Sequence, residues 1–180
     1  MTAKHRFTRG FTLLELMTTV AVLGVLLGLA IPAFTETMNS NRVSANTNAL
    51  VTALSVARSE ASKRGVAVTV CASNAAQTGC SGAASWNTGW IVFSDDIGTS
   101  GTLDAGDELL QAFPAPVAGF NVTAANPTTL TYIRFLRSGM PDSGGISRTL
   151  KLSRPSCTGT QAREVAIANT GRISSGKVAC

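Results

Sequence analysis

Glu15 is the residue of this chain whose placement most needs a chemical explanation. Between it and Glu36 lie 20 residues without a charge. As a helix they would extend about 30 Å, the thickness of a bilayer's hydrocarbon core. An acidic side chain at the centre of such a span costs about 2.5–3.5 kcal/mol, and less near the interface. An ionisable group in that setting is a functional hypothesis whose partner must be named, and for a carboxylate the partner has to be a cation.

The other chemistry-bearing residues are weaker candidates. His5 is the sole histidine and lies ahead of the apolar segment, so no histidine remains beyond it for a general base or a nucleophile pair. There is no G-x-S-x-G elbow, so neither a catalytic residue nor a cofactor is expected. Asp95, Asp96, Asp104, Asp107 and Glu108 offer oxygen ligands for calcium without the spacing of a known loop. Asp-Gly turns between strands account for them as well. Residues 171–177 fit G-x-x-x-x-G-K, but Val178 stands where a phosphate loop needs Ser or Thr. Trp86 and Trp90 flank Gly89, a spacing expected of core and strand-edge packing.

These residues need elements to hold them. A basic leader (Lys4, Arg6, Arg9) stops at Gly10, and the uncharged run follows. Two ordinary readings fit in part. A secretory signal peptide has a basic start and an apolar run, but a shorter one with a small-residue cleavage site. A plain anchor with its cations held inside fits the length and leaves Glu15 without a role. Pro32 removes a backbone donor near the end of the run. Val43, Leu50, Leu54, Ala57 and Ala61 then recur at helical spacing, which predicts one buried face. Lys63 and Arg64 suit a helix C-terminus, and Gly65 supplies the stop. Beyond it the period falls to two, with strands expected over 66–71, 89–93, 108–113, 129–135, 149–153 and 165–168. The expected fold is α+β: one long helix, half membrane-spanning and half amphipathic, packed on a mostly antiparallel β domain.

The motif Gly10-Phe11-Thr12-Leu13-Leu14-Glu15 resembles the processing site of type IV pilins and secretion pseudopilins. Three further stretches resemble the GspH/FimT group of minor pilins and minor pseudopilins. They are Ala57-Arg58-Ser59-Glu60-Ala61, Trp86-x-x-Gly89-Trp90-Ile91-Val92-Phe93 and Asp104-x-Gly106-Asp107-Glu108. The terminal Thr170-Gly171-Arg172 adds to the likeness. The resemblance implies cleavage by a prepilin peptidase after Gly10 and methylation of the new terminus at Phe11. Glu15 would pair with the Phe11 ammonium of a neighbouring subunit.

The implied division is a leader at 1–10, a transmembrane and assembly helix at 11–35, its amphipathic continuation at 36–64 and a periplasmic β domain at 65–180. The protein would sit in the inner membrane with its N-terminus cytoplasmic. It would then join other minor subunits and the major subunit at or near the tip of a type IV pilus or secretion pseudopilus. The alternative implied function is DNA uptake. Some FimT-type members bind DNA through a C-terminal Gly-Arg-x-Arg; here Gly171 and Arg172 match and Ser174 replaces the second arginine. Lys177 and Arg163 are then the additional candidate cations, beside Arg154 and Lys151.

Composition agrees with a folded domain: 44% of residues are hydrophobic and 14% charged in a chain of 180. Charge is uneven. Residues 65–133 hold five acids and no Lys or Arg, whereas 134–180 hold eight basic groups and two acids. Opposite faces meeting complementary neighbours, or a solvated mixed surface, would each produce that pattern. The four cysteines, Cys71, Cys80, Cys157 and Cys180, lack C-x-x-C spacing, so no metal is expected. They allow three disulfide connectivities. Local pairing is the expectation, and a Cys157–Cys180 bridge would be worth about 3 kcal/mol of chain entropy.

Overall fold

The computed structural model describes residues 10–116, 119–142 and 147–180. His5 and the leader cations lie outside the described residues. Among the described residues one helix, α1, runs Leu13–Arg64, and eight strands follow it. The chain divides into two compact units, Met1–Asn39 and Ser40–Cys180.

In the first unit α1 begins on a local signal. Thr12 precedes the helix and accepts the Glu15 N–H through Oγ1 at 3.2 Å, while its carbonyl takes the Leu16 N–H at 3.1 Å. That is the geometry of an N-cap. The most apolar 18-residue window has a mean hydropathy of 2.2 and none of it is buried within the chain. Thr18 and Thr19 keep their hydroxyls satisfied on the carbonyls of Glu15 and Leu16, at 3.0 and 2.8 Å. The helix continues through Pro32.

In the second unit the expected helical face is buried: Val43 is 3% exposed, and Leu50, Leu54, Ala57 and Ala61 are fully covered. Ala53 and Thr47 join the same face. The Thr47 hydroxyl donates to the Val43 carbonyl at 2.7 Å, so a buried polar group costs little there. Gly65 ends the helix with φ of 71° and donates its N–H to the Ala61 carbonyl at 3.0 Å.

The strands form two four-stranded sheets, every pair antiparallel. The first has the order β3-β2-β1-β5, built from β1 (Val68–Ala72), β2 (Trp90–Ser94), β3 (Leu109–Phe113) and β5 (Tyr132–Phe135). The second has the order β4-β6-β7-β8, built from β4 (Asn121–Asn126), β6 (Arg148–Ser153), β7 (Ala162–Ile167) and β8 (Ile173–Val178). Both sheets and the C-terminal half of α1 contribute to one core, with Leu50 and Leu54 clustered among Val70, Phe135, Leu150 and Val165. Each such side chain, fully buried, is worth roughly 1.5–3 kcal/mol of transfer free energy. Strand β1 is buried at all five positions because a second cluster of Cys71, Ile91 and Phe93 covers its other face.

Six strands were expected, and eight are present among the described residues. Strand β4 carries one buried residue, Val122, in Asn-Val-Thr-Ala-Ala-Asn, and β8 carries none in Ile-Ser-Ser-Gly-Lys-Val. Each lies at the edge of its sheet. Backbone pairing along one side holds such a strand without a buried alternation in the sequence. Residues 171–177, which mimic a phosphate loop in type, are for the most part this edge strand.

Candidate functional site

The N-terminal candidates lie together at the start of α1. Gly10 and Phe11 are exposed, Phe11 at 83%. Thr12 and Glu15 occupy the first and last positions of a Thr-x-x-Glu sequence, with Thr12 at the N-cap. This is the pattern of a capping box. An acid in the first turn also meets the positive end of the helix dipole. These local gains, about 1 kcal/mol or less each, cannot offset the burial of a charge in an apolar phase. Among the described residues no cation meets the Glu15 carboxylate. The cap is the part of this site that the sequence reading missed; the Thr-x-x-Glu spacing before an apolar run was its signal.

The cysteines are bonded Cys71–Cys80 and Cys157–Cys180, and no described cysteine is free. The first bridge ties β1 to the loop that follows it. The second ties residue 180 back to the β6–β7 connection, where the Cys180 N–H also donates to the Gly159 carbonyl at 2.9 Å.

The acidic segment is organised by its own backbone. The Asp95 carboxylate, 1% exposed, accepts the Gly101 N–H at 2.9 Å and the Thr69 hydroxyl at 2.5 Å, and it lies 3.2 Å from Arg134 Nε. Asp104 accepts the Thr99 N–H at 2.6 Å, and Asp107 accepts the Asp104 N–H at 3.0 Å. Asp carboxylates closing turns account for the run. Trp86 and Trp90 are both buried: the Trp86 indole donates to the Leu130 carbonyl at 3.1 Å, and Trp90 stacks on Phe113 with ring centres 6.1 Å apart.

The basic candidates separate into two groups. Arg163 and Lys177 are register partners across β7 and β8, and Arg163 donates to Ser44 Oγ at 3.3 Å. Arg172 precedes β8, five residues from Lys177, which in an extended strand is roughly 17 Å. Lys151 pairs in register with Glu164, a neighbour of Arg163 in β7, so its side chain belongs to the opposite face of the sheet. Arg172 instead shares an open cleft of about 460 Å³ with Arg58, Ser55, Ser59, Ser62 and Ile173. The sequence placed Arg58 only in a helical stretch that resembles the family, because its partner in space comes 114 positions later.

The family described as Type II transport protein GspH matches residues 46–171, more than half of the chain. The chain belongs to the GspH family. The prokaryotic N-terminal methylation motif matches residues 5–31, so this GspH-family chain carries the pilin-type N-terminus as well. No curated protein matches it. Among solved structures it is similar to the type IV minor pilin FimU of Pseudomonas aeruginosa, at 18% identity and a TM-score of 0.58 over 74% of this chain and 87% of that one. A second crystal form of FimU gives 17% identity and a TM-score of 0.56, covering 74% and 91%. At that identity the likeness establishes the fold, an α+β pilin architecture. The GspH family is a family of structural pilin-type subunits rather than of enzymes.

Proposed function

We propose that this GspH-family chain is cut between Gly10 and Phe11 by a prepilin peptidase, methylated at Phe11 and built into a pilus or pseudopilus at or near its tip. The supporting observation is Glu15: a carboxylate that meets no cation among the described residues, at the head of a span whose described large apolar side chains are exposed. A neighbouring subunit's Phe11 ammonium is the group that answers both its charge and its position. On this reading 1–10 is the leader, 11–35 the membrane and assembly helix, 36–64 its continuation and 65–180 the periplasmic domain. The inner membrane holds the subunit with its N-terminus cytoplasmic until it joins the other minor subunits and the major subunit. The test is Glu15→Ala: leader removal stays intact while recovery in sheared filaments collapses. Wild-type recovery would remove the ammonium-pairing role.

A second reading, duplex DNA binding in uptake, is favoured by the exposed cations Arg172 and Lys177 at the two ends of β8. Phosphate contacts would make binding fall steeply with salt. Purified residues 36–180 would bind duplex weakly, with loss in Arg172→Ala; absence of binding at low salt ends this reading.

A further inference from the structure

Arg58 is held in place without an acid, and Arg172 lines the same cleft. Among the described residues the ion pairs use Glu60, Asp95, Glu108 and Asp142, and none includes either arginine. Glu60, two positions from Arg58, points to another helix face and pairs with Arg64 Nε at 2.6 Å. Arg58 is half-buried and built into its position by two turns. One turn closes through the Gly171 N–H on the Ala168 carbonyl at 2.8 Å, the other through the Gly139 N–H on the Leu136 carbonyl at 2.8 Å. Gly139 and Gly171 are buried and have φ of 73° and 78°. A methyl on Gly171 would lie 3.1 Å from Arg58 Nε and overlap the Gly139 carbonyl oxygen. Arg58 also reaches the Thr170 carbonyl at 3.5 Å. On the helix side Ser55, Ser59 and Ser62 repeat at intervals of four and three, so their hydroxyls face the same cleft.

We propose that this cleft receives a carboxylate from a neighbouring subunit of the filament; the proposal rests on the filament reading above. A guanidinium fork matches a carboxylate in two parallel hydrogen bonds, and the serine hydroxyls supply further donors to its oxygens. The positioned Arg58 gives up little side-chain freedom on binding. The recess, bounded by α1 and two turns, admits a side chain. A duplex would have to reach a half-buried Arg58, and Lys177, with Arg163 its register partner, stands five residues along β8 from Arg172, too far to extend the same contact.

The experiment follows the full-length chain in cells. Ser59→Asp places an acid inside the cleft on an exposed helix position, and Arg58→Glu with Arg172→Glu reverses the cleft's charge. Leader removal and both disulfides, read on non-reducing gels, stay normal in each, while recovery in sheared filaments falls roughly tenfold or more. A photo-crosslinker at Ser62 joins the chain to an Asp- or Glu-containing peptide of another subunit. Changing that acid to Lys restores incorporation of the charge-reversed variant. Normal incorporation of Ser59→Asp, crosslinks confined to this chain or to DNA, or no restoration would each overturn the proposal. Absence of the unaltered chain from filaments would instead sink the filament reading.

Discussion

The two halves of α1 are both rich in Ala, Val and Leu, yet they stand in opposite surroundings. From residue 40 onward the apolar face meets its own sheets, and Leu50 and Leu54 are fully buried. Before it, Leu23 is 54% exposed, Leu29 71% and Phe34 65%. The difference is one of where the core is completed. The second half finds its partners later in the same chain. The first half must find them in lipid or in other chains, since contiguous exposed apolar surface of that extent marks an interaction site. Reading either half by hydropathy alone would miss the distinction.

The comparison can be broken most sharply at the junction before the helix. Gly10→Phe should abolish leader removal altogether, seen as an unshifted band on denaturing gels; normal processing of that variant would undo the pilin-type assignment of the first half. The next largest effect sets the halves side by side. Leu54→Ala should destabilise the domain by about 2–5 kcal/mol, and Leu23→Ala should leave its melting temperature unchanged. Equal shifts would show that the first half is stabilised within the chain after all. Replacing Cys157 and Cys180 together by Ser should cost about 3 kcal/mol in denaturant unfolding, from the freed 23-residue separation.

The smallest expected effect concerns the end of α1. The hydrogen bond from Arg64 holds the Glu60 carboxyl below its ordinary value of 4.5, with Lys63 adding to it. A lowered folded-state pKa gives stability that is present above the unfolded value and lost as pH falls through the folded one. Glu60→Gln should therefore melt slightly below the parent at neutral pH and match it only in acid below the lowered folded-state value, itself under 4.5. A gap that persists in acid would assign the effect to packing rather than charge.

Much of this was legible in the residues. The uncharged run, the glycine before it and the displaced acid specify the first half without any tertiary information. The helical stripe from Val43 to Ala61 and the strand pattern beyond Gly65 specify the second. What stayed hidden had little apolar signal or depended on distance along the chain. Strands β4 and β8 are edge strands held by backbone pairing, so their side chains carry almost no alternation. Arg58 gained a companion only when the β7–β8 turn folded back onto α1, a meeting that spacing cannot reveal. Thr12 was visible in sequence and was overshadowed by the motif it sits in.

The threonines of the first half have one more consequence. The Thr18 and Thr19 hydroxyls are already spent on carbonyls of their own helix. Exchanging acyl chains for protein side chains therefore neither breaks nor makes a hydrogen bond at either residue. For those two groups the partition between the two media is close to neutral. On the proposed filament reading, the direction of travel would be decided at Glu15, the one ionisable group between Phe11 and Thr35.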